Sequence, residues 1–158
     1  MSYKFAAIGL TPVLLAQGRY VRRVTPKLPE PTGERHGTDG DGERLRLLIV
    51  GDSSAAGVGA ETQASALSGQ LASTLAKHFH LSWRLIAKTG RDVQSVLSSI
   101  ESAPQEYFDV AVVAVGVNDV TGGTSSKQWR EGLGHLCECL QSKFNVQHVL
   151  LTPIPPMH

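Results

Sequence analysis

A chain of 158 residues, 41% hydrophobic and 18% charged, is sized for one globular domain with a core of its own. A formal charge of +1, with no dense Lys or Arg tract, excludes the electrostatic footprint of a nucleic-acid binder. The only cysteines, Cys137 and Cys139, lie two apart on a predicted helix, where side chains diverge, so neither a disulfide nor a zinc site is expected.

The first stretch, Phe5 to Ala16, is apolar, preceded by Lys4 and followed by Arg19, Arg22 and Arg23. Pro12 interrupts it, and it is too short to span a bilayer as a helix. Its charge order fits an export signal without a clear cleavage site, and fits equally a short amphipathic helix resting on a membrane or on the domain. Residues 4–23 are therefore the candidate for peripheral membrane contact. Pro26 to Gly42 is rich in Pro, Gly and charge, a linker composition. The expected division is an N-terminal segment and linker over 1–42 and the domain proper over 43–158.

Leu45 to Val50 is a near-continuous apolar run, as in a strand buried on both faces of a parallel sheet. Gly51 ends it, and Asp52, Ser53 and Ser54 place short polar side chains at its carboxyl end. Apolar residues at Ala64, Leu67, Leu71, Leu75 and Phe79 predict one helix over 61–79. Leu81 to Ala87 reads as a strand ended by Lys88, Thr89 and Gly90, and Val93, Val96, Leu97 and Ile100 give a helix over 91–102. Tyr107 to Val115 is a central strand leading into Gly116, Val117, Asn118 and Asp119. Ser125 with Gln128 forms a capping box ahead of a helix faced by Trp129, Leu133, Leu136, Leu140 and Phe144. His148 to Thr152 is a fourth strand, and the prolines of PIPPMH end regular structure. This alternation implies a three-layer α/β/α sandwich with a flavodoxin-like parallel sheet. Its carboxyl edge then gathers Ser53, Gly90 and Asn118.

The turn after the first strand, GDSSAAGVG, has no Lys for a P-loop, lacks the G-x-G-x-x-G spacing of a dinucleotide site, and is not the G-x-S-x-G elbow of α/β-hydrolases. What remains is a Ser hydroxyl on a tight turn with amide donors nearby, the parts of acyl transfer: a nucleophile and donors for a developing oxyanion.

Three ordered blocks resemble the SGNH or GDSL-type serine hydrolases: Gly51-Asp52-Ser53, Gly90, and Gly116-Val117-Asn118-Asp119. The resemblance runs from about Leu45 to Pro156. It implies Ser53 as nucleophile, an oxyanion hole made by the amides of Ser53 and Gly90 and the side chain of Asn118, and supporting roles for Asp52, Gly116 and Asp119. It also implies hydrolysis of carboxylic esters or thioesters, lipids and acetylated sugars among them, without metal or cofactor. The family's D-x-x-H block, which carries the general base, does not occur in these residues. His36, His78, His80, His135 and His148 read as surface or capping residues, and His158 ends a Pro-rich tail that gives its side chain no support. The expectation is therefore a hydrolase domain cut short of its last strand and its catalytic His, nearly inactive as it stands. Two other classes stay open: a silent acyl- or sugar-binding module, and a phosphate-binding flavodoxin-like domain.

Overall fold

The computed structural model describes residues 12–154 except 15, 22 and 27. Helical backbone over 12–14, 16–21 and 23–24 comes first. The domain follows as β1 (His36–Asp39), β2 (Glu43–Gly51), α1 (Ser53–Ala56), a 3-10 turn (Gln63–Ser65), α2 (Leu67–Leu75), β3 (Phe79–Ala87), α3 (Val93–Ser102), β4 (Val110–Ala114), α4 (Val117–Gly122), α5 (Ser126–Phe144) and β5 (His148–Leu151).

The sheet order is β1-β3-β2-β4-β5. Neighbours among β2 to β5 pair parallel, whereas β1 pairs antiparallel with β3, from His36 opposite Arg84 to Asp39 opposite Leu81. The sheet is thus a mixed five-stranded one, where four parallel strands were expected. The extra strand comes from the stretch read as linker. HGTD has no apolar alternation, so its sequence carries no strand period; long-range pairing and the stacking of Gly37 against the Trp83 indole hold it in place.

Period 2 along β2 and β4 explains the three layers. Leu48, Val50, Ala111 and Val113 pack on one side with Val93, Val96 and Ile100 of α3 and Leu136, Leu140 and Phe144 of α5. Leu47, Ile49, Val112 and Ala114 pack on the other with Ala55 and Ala56 of α1 and Ala72 of α2. The ring of Phe144 meets Phe108 edge-on, centroids 5.8 Å apart. At the start of α5 the Ser125–Gln128 capping box forms as the sequence indicates, and Asn145 in the left-handed conformation closes its end.

The helix expected over 61–79 is divided. Ala66 is extended between the 3-10 turn and α2. The break serves Gln63, whose buried side chain donates to Ala56 O at 3.0 Å and accepts from the Ser68 hydroxyl at 2.9 Å. A polar side chain fixed on both sides in the interior outweighs the helical periodicity around it.

Candidate active site

Three turns leave the carboxyl ends of β2, β3 and β4, and hydrogen bonds stitch them together. Asp52 N donates to Ala114 O at 3.0 Å and Lys88 N to Gly51 O at 3.3 Å. Asn118 Nδ2 donates to Arg91 O at 2.8 Å, and Val93 N to Asp119 Oδ2 at 3.1 Å. Each turn of the predicted site is therefore fixed to another by main-chain or side-chain groups, the kind of support that keeps a reactive geometry in place. Gly51 is required by space, since a Cβ there would run into Ala114 O. Gly90 is required by conformation: its φ is +82, and open space surrounds it.

Ser53 is the first residue of α1 and is half-buried. Its position leaves its amide N–H among the donors a helix start cannot pair internally. Among the described residues, neither that N–H, the Gly90 N–H nor the Ser53 hydroxyl has a protein hydrogen-bond partner. Asn118 is the second residue of α4, after Val117. An amide nitrogen carries two hydrogens; Arg91 O takes one, and the other has no partner among the described residues. The structure thus brings the three predicted contributors to one edge, with donors to spare there.

The two buried acids of the motif blocks differ in role. Asp52, 1% exposed, caps α1 by accepting from Ser54 N at 2.9 Å and from the Ser54 hydroxyl at 2.7 Å, while its Oδ2 is buried without a partner. Asp119, 2% exposed, reaches across to α3. Burial pushes its carboxyl above the usual Asp range; the Val93 N–H opposes this, and the negative charges of Asp92 and Asp52 add to it. Gly116 lies under Ile154 and the Trp129 indole, where a side chain would meet Ile154 Cδ1 at 2.5 Å.

Sequence reasoning missed the residues that brace the site from afar. Arg91 supplies the carbonyl that orients Asn118. Glu30 Oε1 accepts from Thr89 N at 2.6 Å and the Thr89 hydroxyl at 2.8 Å, and Oε2 pairs with Arg35 at 2.9 Å. Burial raises the Glu30 carboxyl, but the Thr89 and Arg35 contacts outweigh it and hold it below the ordinary value. Nothing local in the sequence marks a loop carboxylate that bonds 59 positions away.

No histidine among the described residues hydrogen-bonds Ser53. His80 Nδ1 contacts Gly40 O at 2.7 Å at the amino end of β3, His148 begins β5, His36 lies in β1, and His135 is on α5. His158 lies outside the described residues. No cluster of three His, Cys, Asp or Glu suited to a metal occurs among them either. A surface hollow of about 870 Å³ takes in Thr38, Arg46, Ser82 and Arg84 but none of Ser53, Gly90 or Asn118.

Residues 49–158 match the GDSL-like lipase/acylhydrolase family. No curated protein sequence matches the chain. Among solved structures it is similar to AlinE4, an SGNH-hydrolase family esterase, with 28% identity and a TM-score of 0.59 over 74% of this chain and 64% of that one. It is also similar to the psychrotrophic esterase EstA from Pseudoalteromonas sp., in a structure inhibited by monoethylphosphonate, with 18% identity and a TM-score of 0.55 over 69% and 62%. A third likeness is to Axe2, an acetylxylan esterase from Geobacillus stearothermophilus, at 16% identity and a TM-score of 0.54 over 70% and 60%. The last two likenesses bear on the fold alone. The chain spans less than two thirds of the length of each of these proteins.

Proposed function

The chain belongs to the GDSL-like lipase/acylhydrolase family, and from that premise we propose that it is an ester hydrolase that works through an acyl-serine intermediate on Ser53. Ser53 Oγ attacks the ester carbonyl carbon and the carbonyl oxygen becomes an oxyanion. The N–H groups of Ser53 and Gly90 and the spare Nδ2 hydrogen of Asn118 stabilise that charge. Collapse of the tetrahedral adduct expels the alcohol or thiol, and water then repeats the attack to release the acid. The base that takes the Oγ proton and returns it to the leaving group is not one of the described histidines. Asp52 supports the nucleophile by capping its helix, Asp119 by tying α4 to α3, and Gly116 by allowing the close turn. The reading needs no metal or cofactor.

The observation that carries this proposal is the Asn118 amide, braced through one hydrogen at 2.8 Å on the loop that holds Gly90, with its second hydrogen uncommitted. A donor fixed before the substrate arrives is worth most where charge develops. The test is hydrolysis of p-nitrophenyl butyrate and reaction with an alkyl fluorophosphonate, comparing the chain with Ser53→Ala. A second reading, a domain that holds an acyl or sugar group without cleaving it, draws on the finding that no histidine among the described residues bonds Ser53. Binding of a non-hydrolysable acyl ligand with no phosphonate adduct at Ser53 would select that reading.

A further inference from the structure

The N-terminal helical segment exposes more apolar surface than any other element described. Val13, Leu14, Tyr20, Val21 and Val24 are between 50% and 66% exposed, and Leu28 just beyond is 58% exposed. Projected at 3.6 residues per turn, the first five fall within an arc of roughly 120° that also takes in Gln17, while Arg19 and Arg23 lie together outside it. An apolar stripe of that width normally faces a core; here no described element covers it. The surrounding sequence is one-signed: the residues before Glu30 include Lys4, Arg19, Arg22, Arg23 and Lys27 and no acid.

The chain that follows is fastened beside the candidate active site. Glu30 is held by Thr89, next to Gly90. Pro31 packs beside Gly57, the residue that closes the helix begun by Ser53. Gln63 N donates to Thr32 O at 2.8 Å. Only five residues separate Val24 from Glu30, so the end of the helix stays within about 20 Å of this clamp.

We propose that this helix is an interfacial anchor for an anionic lipid surface, lying in its plane with the apolar stripe among the acyl chains and the arginines at the level of the phosphates. A cationic amphipathic helix binds along such a surface, its apolar side toward the acyl chains and its cations at the headgroups. The absence of acids favours an anionic bilayer over a second copy of the chain, whose own helix carries the same charge. Resting on the esterase reading above, the anchor assigns a substrate class: esters presented in a membrane or lipid aggregate, met by the edge that carries Ser53.

The test is co-sedimentation of the full chain with vesicles at low salt. The expected result is binding to equimolar phosphatidylglycerol and phosphatidylcholine at least about tenfold tighter than to phosphatidylcholine alone. Val21→Glu with Val24→Glu abolishes binding without moving the thermal melt, because those side chains are exposed, and Arg19→Gln with Arg23→Gln weakens it about tenfold or more. Ser53→Ala binds like the parent, so loss of the esterase reading and loss of the anchor are seen separately. Failure to sediment with either vesicle overturns the proposal, as does binding indifferent to the substitutions. So does a dimer in size exclusion that Val21→Glu with Val24→Glu dissolves in the absence of lipid binding.

Discussion

Replacing Asn118 by Ala removes two things the structure keeps distinct. The first is the brace to Arg91 O at 2.8 Å, half-buried at the edge of the sheet. Losing a net hydrogen bond there costs about 1 kcal/mol, which for a domain of this size lowers Tm by about 2 to 4 °C. The second is the spare Nδ2 hydrogen, a donor that works only as the oxyanion forms; losing one such donor costs about 3 to 4 kcal/mol of transition-state stabilisation. The rate of phosphonate adduct formation at Ser53, followed by mass spectrometry, should therefore fall about a hundred- to a thousandfold. The melt, followed by circular dichroism, moves only a few degrees. Asn118→Asp keeps the shape but sets a negative oxygen against the Arg91 carbonyl and against the developing charge, and should react more slowly still. A variant whose Tm falls as stated while its adduct forms at the parent rate would reduce Asn118 to a strut and refute the oxyanion argument.

Other outcomes follow from the same contacts. Deleting residues 1–25 should leave the melt unchanged, whereas deleting 1–40 should lower it and broaden the unfolding transition in urea, since it removes β1, the Glu30–Thr89 clamp and the Arg35–Glu30 pair. Burial raises the Asp119 carboxyl in the folded state, so the folded chain binds the proton more tightly than the unfolded one and stability falls as pH rises from the ordinary Asp value through the raised one. Asp119→Asn, compared with the parent in urea midpoints from pH 3 upward, should gain stability relative to the parent across that window; a constant difference would show that Asp119 does not titrate there. Asp109 runs the other way: the Arg46 hydrogen bond holds its carboxyl below the ordinary range. Its contribution is present at neutral pH and lost as pH falls through the lowered value, and Asp109→Asn should flatten that acid limb.

How much was legible in the sequence follows from where the information lies. Leu47 to Val50 could be read because burial on both faces leaves an unbroken apolar run, and α5 because its capping box and its stripe at Leu136, Leu140 and Phe144 are local patterns. The three site turns could be read because each is a glycine with polar neighbours directly after an apolar strand. β1 could not, since His36 to Asp39 has no period and depends on pairing with residues more than 40 positions away. Nor could the break at Ala66, which one buried glutamine imposes, or the clamp of Glu30 on Thr89. Periodicity records which face is buried; it keeps no trace of a hydrogen bond between loops.

The central claim is that Ser53 is the nucleophile, and it is tested most directly by mapping where a fluorophosphonate reacts. The account predicts a single phosphonate adduct, on the peptide holding Ser53, absent from Ser53→Ala and slowed in Asn118→Ala, with slow ester turnover unless His158 acts as the base, in which case His158→Ala lowers it. Adducts scattered over the exposed serines of α3, or no adduct on Ser53 in a folded chain, would contradict it.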